Sequence, residues 1–314
     1  MRYTFLLPAY KKSFLDKAIR SILNQTYTDF KIIISDDCSP EDLYSVVKEF
    51  SDDTRLTYRR NEKNIGGTSL VAHWNMLLDL CDTDYFILAS DDDVYLPHFL
   101  EEIDKLVEKY PAVDLFHSRA QCINGKDEIF KIDPLYKEYV TQLEYFEQLD
   151  YYNHIECIAN YVFKTEVLKK KGGFVDFPLA WSSDTATCNI MAVNGVVNTS
   201  GVYFSFRMSG LNISSQPIEN KEISRLKFKA FCEYDAFMSE ILKNLKIGDS
   251  LLEKTTYDRV CKQHTRRMSG LIAWQSVNLS FIEFVSYLKR YKKKGYIDSL
   301  FIIVKKWLVS RLKR

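Results

Sequence analysis

Three consecutive acids, Asp91-Asp92-Asp93, follow the apolar run Tyr85–Ala89, and a second acidic pair, Asp36-Asp37, follows the β-branched run Lys31–Ser35. Oxygen-rich clusters without thiol or imidazole suit hard divalent ions such as Mg²⁺ or Mn²⁺. These ions take a few carboxylates and complete their shell with substrate phosphates, which makes a nucleoside diphosphate their natural companion. A carboxylate of the Asp36-Asp37 pair can also accept from a ring N–H, which uracil or thymine offers. Each set has a plainer alternative: Asp91–Asp93 as acids before a helix opened at Pro97, and one of Asp36 and Asp37 as the cap of a helix opened at Pro40.

The surrounding elements give these acids a common address. Tyr3–Pro8 reads as a buried strand, and Leu15, Ala18, Ile19, Ile22 and Leu23 recur at helical spacing over 12–25. The same alternation continues: a strand at Lys31–Ser35, a helix with inner face Leu43, Val46, Val47 and Phe50, a strand at Leu56–Tyr58 and a helix over Ser69–Leu80. A strand at Tyr85–Ala89, a helix begun by Pro97 and a strand at Ala112–Phe116 complete it. Strands this apolar have no solvent face, so the order predicts an α/β fold, a mostly parallel sheet with helices on both sides. Ligands of such sheets lie beyond the carboxyl ends of the strands. Just past those ends stand Pro8-Ala9-Tyr10, Asp36-Asp37, Asn61–Gly67 and Asp91–Asp93. Helices are expected at 141–149, 165–171 and from Ser183, a strand at 196–206, a linker at Ile218–Lys221 and helices beyond. That divides the chain into 1–217 and a helical, basic 218–314.

Linked motifs carry a resemblance. Leu6-Leu7-Pro8-Ala9-Tyr10, Ala18 through Phe30, Ile34-Ser35-Asp36-Asp37-Cys38-Ser39, Asn61 through Gly67, and Ser90–Asp93 with Val94-Tyr95-Leu96-Pro97 resemble, in order and spacing, the family 2 glycosyltransferases. The likeness covers roughly residues 1–110 and, more loosely, continues to about 215. It implies a GT-A fold, Rossmann-like and typical of nucleotide-diphospho-sugar transferases, with a nucleotide-sugar donor, a divalent metal (Mn²⁺ or Mg²⁺) and inversion at the anomeric carbon.

The resemblance also distributes roles. The donor base falls on Asp37, with Asp36 and the Pro8-Ala9-Tyr10 backbone beside it and Asn64 and Gly66 on the third rim loop; UDP-sugars are favoured. Asp91, Asp92 and Asp93 are the metal candidates. A literal D-x-D reading selects Asp91 and Asp93, while the match back from Val94-Tyr95-Leu96-Pro97 points to Asp92. Family members place an acid after a Gly-Gly-Phe segment, and here Gly172-Gly173-Phe174 leads to Asp184, which would take the proton of the attacking hydroxyl. The usual Glu-Asp pair is Ser183-Asp184 in this chain, and Cys38 stands where Gly is common. Arg207, in Phe206–Ser215, would close over the pyrophosphate from a glycine-hinged loop. Asp184 as a first-turn helix acid and Arg207 as a solvated surface residue are the alternatives.

Composition bounds the rest. The chain has 314 residues, 46% of them hydrophobic, and 43 Lys and Arg against 42 Asp and Glu, which excludes disordered and collagen-like classes. Charge is uneven: residues 255–314 hold 14 basic and 3 acidic residues, and 1–254 hold 29 and 39. A stripe of Ile297, Leu300, Phe301, Val304 and Leu308 beside Lys305, Lys306, Arg311, Lys313 and Arg314 resembles an interfacial helix on an anionic membrane, or else a packed helix with a solvated edge. Nucleic acid is disfavoured, because no recognised binding motif occurs. Seven cysteines without a C-x-x-C pair, and no signal-like N-terminal run, suit a cytoplasmic protein, free or on the cytosolic face of a membrane. P-loop, nucleophile-elbow and H-E-x-x-H motifs do not occur. The expected function is inverting hexosyl transfer to a glycan or lipid-linked hydroxyl in surface polysaccharide assembly. A non-catalytic nucleotide-sugar-binding scaffold and a sugar nucleotidyltransferase are the rivals; the acceptor-side base separates the first, and release of pyrophosphate the second.

Overall fold

In a computed structural model, residues 1–150, 153–210 and 221–276 are described, with isolated positions between 280 and 309. The chain divides into two compact units, Met1–Val175 with Ser183–Gln216, and Asp176–Ser182 with Pro217–Arg314.

The first unit is built on one mixed sheet. Strands β1 (Tyr3–Ala9), β2 (Phe30–Asp36) and β4 (Tyr85–Leu88) are buried almost throughout, which is why they are continuous apolar runs, while β3 (Leu56–Arg60) is a half-exposed edge. These four pair in parallel, in the order β3-β2-β1-β4. Their register aligns Ala9 with Asp36 and Asp36 with Arg60, and Leu6 with Leu88, so the carboxyl ends of all four strands share one rim. Helix α1 (Leu15–Leu23) buries Leu15, Ala18, Ile19 and Ile22 against the sheet core. Helix α3 (Leu70–Asp79) is capped by Ser69, whose side chain accepts from the Ala72 N–H at 3.1 Å. Helix α4 (Phe99–Lys109) buries Phe99, Leu100, Ile103 and Val107.

Two expectations need adjusting. The helix expected after Pro40 is only α2 (Tyr44–Val47), continued by a 3₁₀ turn at Lys48–Phe50. The Ser39 side chain accepts from the Glu41 N–H in a local turn, and Asp42 accepts from the Ser45 N–H three residues on, as an N-cap does, so the helical start is delayed past Pro40. The β-α-β series also does not close at Ala112–Phe116. There a longer strand, β6 (Leu115–Ile123), is separated from β4 by β9 (Tyr161–Lys164), which runs antiparallel to both. Strand β10 (Val196–Arg207) extends the sheet beyond β6 and pairs at its edges with β5 (Val94–Tyr95) and β8 (Tyr139–Val140), while β7 (Ile129–Ile132) pairs with β6. Helices α5 (Gln142–Gln148), α6 (Thr165–Lys170) and α7 (Ser183–Met191) stand where helical spacing placed them.

The second unit contains α8 (Lys221–Asn244) and α9 (Leu251–Ser276), which lie antiparallel along each other. Buried Ser224 donates to Gln275 at 2.9 Å, and His264 lies 3.1 Å from Asp235. Trp181 packs edge-on to Phe231 in this unit, with the Lys227 ammonium 3.8 Å from its ring centre. Lys221, the last residue of the expected linker, already belongs to α8; residues 218–220 and most of the expected amphipathic segment 281–314 lie outside the described residues. Among the described residues, no helix is long and apolar enough to cross a membrane.

Candidate active site

The rim at the carboxyl ends of β1, β2 and β4 gathers five aspartates, each in a different environment. Asp36 is fully buried at the end of β2: one oxygen accepts from the Ser39 N–H at 2.8 Å, the other from the Tyr58 hydroxyl at 2.7 Å and from Arg60. Asp37 holds the third rim loop. It accepts from the Asn61 side-chain amide and the Ile65 N–H, each at 2.8 Å, and from the Gly66 N–H at 2.7 Å. A Cβ on Gly66 would stand 2.9 Å from that Asp37 oxygen, so the loop's close approach depends on the glycine. Asn64 folds back to accept from the Gly67 N–H. Between the pair and Ser39, Cys38 has a φ of +54°, the left-handed conformation that explains why glycine suits this position.

The triplet after β4 splits three ways. Asp91 accepts the N–H groups of Tyr10 and Lys11 on one oxygen, at 2.9 and 2.8 Å, which ties the end of β1 to this turn. Asp92 accepts from the Ser90 hydroxyl at 2.7 Å on one oxygen. The second oxygens of both face one cation, the Lys11 ammonium, 3.2 Å from Asp91 Oδ1 and 2.6 Å from Asp92 Oδ2. Asp93 turns inward, 1% exposed, with one oxygen accepting from the Arg207 N–H at 2.8 Å and the other without a hydrogen-bond partner among the described residues. Burial, then the neighbouring Asp92, pushes Asp93 well above the ordinary carboxylate range; burial also raises Asp91, against the opposing pull of Lys11. Lys11 is raised in turn, since Asp91 and Asp92 outweigh the burial that works against its charge.

Arg207 is expected on a loop and stands instead as the last residue of β10, fully buried. Its Nε donates to the Asp92 carbonyl at 2.7 Å and its Nη1 to the Asn124 carbonyl at 3.1 Å, with Asp127 2.6 Å away and the Phe14 ring centre 4.3 Å from its guanidinium carbon. A strand-end position brings its backbone N–H to Asp93 and its side chain to Asp92, so it fastens the acidic turn.

The other carboxylates lie at the start of α7. Gly172 and Gly173, with φ of +91° and +88°, turn the chain out of α6, and the Phe174 N–H donates to Asn75 at 2.9 Å. Asp184 then accepts from the Thr185 N–H at 2.8 Å. The Thr185 hydroxyl donates to Glu156 at 2.7 Å and lies 3.4 Å from the same Asp184 oxygen, so one hydroxyl joins two carboxylates. They line a depression with His154, Cys157, Tyr161 and Cys188 among its walls. Burial, and next the Glu156 charge, pushes Asp184 up to about 6. Cys157 stands in the wall of this depression, where burial drives its thiol well above the ordinary value and the charges of Asp93, Asp184 and Asp92 add to the push. Lys11 and Glu156 are absent from the sequence-derived site. Lys11 had a signal, a base directly after the first rim segment and facing an acidic rim; Glu156 lies between elements and had none.

Among the described residues, no three His, Cys, Asp or Glu side chains converge as a complete metal cage. Two carboxylate oxygens facing one cation are nonetheless a donor set that fits Mg²⁺ or Mn²⁺, whose remaining ligands come from water and phosphate.

A mixed sheet with a parallel half and flanking helices is the fold of the GT-A class. The model of glycosyl transferase family 2 matches residues 4–172, and the chain belongs to that family. An uncharacterized glycosyltransferase of Methanocaldococcus jannaschii is 27% identical over 51% of this chain and 53% of its own length. The GalNAc(5)-diNAcBac-PP-undecaprenol beta-1,3-glucosyltransferase of Campylobacter jejuni is 34% identical over 36% of this chain and 37% of its own. The matches thus span about half or less of these relatives. The fold is that of Staphylococcus aureus TarS 1–349 in complex with UDP-GlcNAc, with a TM-score of 0.60 at 15% identity, covering 100% of this chain and 93% of that one. A mannosyltransferase from Pyrobaculum calidifontis, in complex with GDP-Man and Mn²⁺, superposes with a TM-score of 0.54 at 14% identity, covering 98% and 87%.

Proposed function

We propose that the chain is an inverting glycosyltransferase that moves a hexosyl group from a nucleotide-diphosphate donor, a UDP-sugar by preference, to a hydroxyl of a glycan or lipid-linked acceptor in surface polysaccharide assembly. The observation that carries this reading is the pair of Asp91 and Asp92 oxygens that meet at one cation on the carboxyl rim of the parallel strands, in a chain that belongs to glycosyl transferase family 2. The UDP-GlcNAc complex of TarS and the undecaprenol-linked substrate in the Campylobacter enzyme's name support the donor and acceptor classes.

On the donor side, Asp37 and the Pro8-Ala9-Tyr10 backbone receive the nucleotide, and Asn64 and Gly66 shape the loop beside it. Asp37 keeps acceptor capacity for a base N–H, since each carboxylate oxygen has two lone-pair directions. Asp36 and Arg207 serve the donor indirectly, by holding the Ser39 turn and the Asp92-Asp93 turn. Asp92 and Asp91, with Asp93 behind them, would hold a divalent cation, which would supply positive charge for the departing diphosphate. On the acceptor side, Asp184 takes the hydroxyl proton while the oxygen attacks the anomeric carbon from the face opposite the departing diphosphate. The basic segment 281–314 is assigned to the anionic cytosolic face of a membrane.

Asp184→Asn keeps the size and the Thr185 hydrogen bond but cannot take a proton. Transfer from UDP-sugars is expected to fall by roughly 10²–10⁴-fold, with UDP affinity in calorimetry unchanged. A well-folded variant with near-normal transfer removes Asp184 from the mechanism.

A further inference from the structure

The acidic rim already contains a cation of its own. Asp91 and Asp92 each commit one oxygen to the protein, Asp91 to two backbone N–H groups and Asp92 to the Ser90 hydroxyl. Their other oxygens meet at the Lys11 ammonium. The Asp91 and Asp92 side chains are 7% and 2% exposed and that of Lys11 is 31% exposed, so the lysine is the member of the seat with access to solvent. Two adjacent carboxylates at this depth repel each other strongly without a counter-charge. The seat therefore has a cation before any ligand arrives.

We propose that Lys11 is the resting-state cation of this seat and is exchanged for the divalent metal when the nucleotide donor binds. The inference rests on the assignment of a divalent cation to Asp91 and Asp92 in the proposed function. The exchange needs no backbone movement: the Lys11 N–H stays bonded to Asp91, which fixes its Cα, and only the flexible side chain has to turn away. The displaced ammonium remains on the rim, where a diphosphate brings negative charge for it to pair with. In the absence of donor, the metal must compete with a tethered cation and binds weakly; donor phosphates supply both extra ligands for the metal and a new partner for Lys11. Metal and nucleotide then bind cooperatively, with the coupling held in one side chain.

The test uses Mn²⁺ alone, UDP alone and both together on the full chain, read by calorimetry and by melting temperature. For Lys11→Ala, Mn²⁺ alone is expected to bind at least about tenfold more tightly than to the unaltered protein, and to raise the melting temperature more at equal concentration. The mutual enhancement between Mn²⁺ and UDP should shrink correspondingly. Lys11→Met, which keeps the apolar stem, repeats the comparison should the alanine variant fold poorly, and Asp92→Asn added to either should abolish the gain. Equal Mn²⁺ affinity in the unaltered protein and both Lys11 variants overturns the exchange while leaving the metal reading intact. UDP binding that ignores Mn²⁺ in the unaltered protein but weakens in Lys11→Ala also overturns it, making Lys11 a permanent substitute for the metal. No Mn²⁺ binding in any variant, with or without UDP, removes the metal reading itself.

Discussion

In the proposed reaction Asp184 is the base, and its surroundings set its proton affinity. A carboxylate in water is too weak a base at neutral pH, but burial and then Glu156 lift Asp184 to about 6, close to the range where a general base is effective. Only the ionised form accepts a proton, so transfer is expected to fall as pH drops through about 6, and Glu156→Gln should move that midpoint to lower pH, as read from kcat against pH. The same shift has a sign for stability. The folded protein holds this proton more tightly than the unfolded chain does. The contribution is therefore fully present below about pH 4 and is lost as pH rises through about 6, leaving ionised Asp184 destabilising at neutral pH. Asp184→Asn should melt a few degrees higher than the unaltered protein at about pH 7, corresponding to roughly 1 kcal/mol, with the gain shrinking towards pH 5. A lower melting temperature at pH 7 would mean that the carboxylate holds the fold together. Glycine in place of Cys38, at φ +54°, is expected to leave stability unchanged or raise it by up to about 1 kcal/mol in urea unfolding, whereas valine should lower it.

At the scale of elements, the rim depends on loops tied to strand ends. Gly66→Ala forces a Cβ to within 2.9 Å of the Asp37 oxygen that its own N–H bonds, so the loop must lift away. Such a change should cost about 1–3 kcal/mol and weaken UDP affinity in the same preparation; unchanged affinity would detach this loop from the donor site. The strands bearing the rim were legible because burial on both faces leaves an unbroken apolar run, as in Phe5-Leu6-Leu7 and Ile32-Ile33-Ile34. Strand β9 was not: Tyr161–Lys164 is four residues long, and its antiparallel insertion between β4 and β6 is a pairing between distant segments that no local pattern encodes. The acids themselves were readable from type and position, but not their orientations. That Asp93 faces Arg207 while Asp91 and Asp92 face Lys11 is set by how β10 and the end of β1 meet the turn. Glu156 reaches Asp184 through the Thr185 hydroxyl, a contact that sequence separation concealed.

For the whole molecule, the uneven distribution of charge makes a separate statement. Residues 1–254 carry an acidic excess, while 281–314 hold 10 Lys and Arg against 2 Asp and Glu, a segment most of which lies beyond the described residues. Among the described residues no helix is long and apolar enough to cross a membrane, and the proposed membrane contact rests on the basic segment alone. Each basic residue near an anionic headgroup layer contributes about 1 kcal/mol, and the attraction is screened by salt. Truncation after Ser280 is therefore expected to abolish sedimentation with anionic vesicles at low salt while leaving UDP affinity unchanged, because the rim and Asp184 all precede the cut. Raising the salt should release the full chain in part, the remainder being held by whatever apolar face the segment inserts. Two outcomes contradict this assignment. If the full chain does not sediment with such vesicles, the segment does not bind membranes; if truncation also removes UDP binding, the segment serves the fold, and its basic residues are a solvated edge.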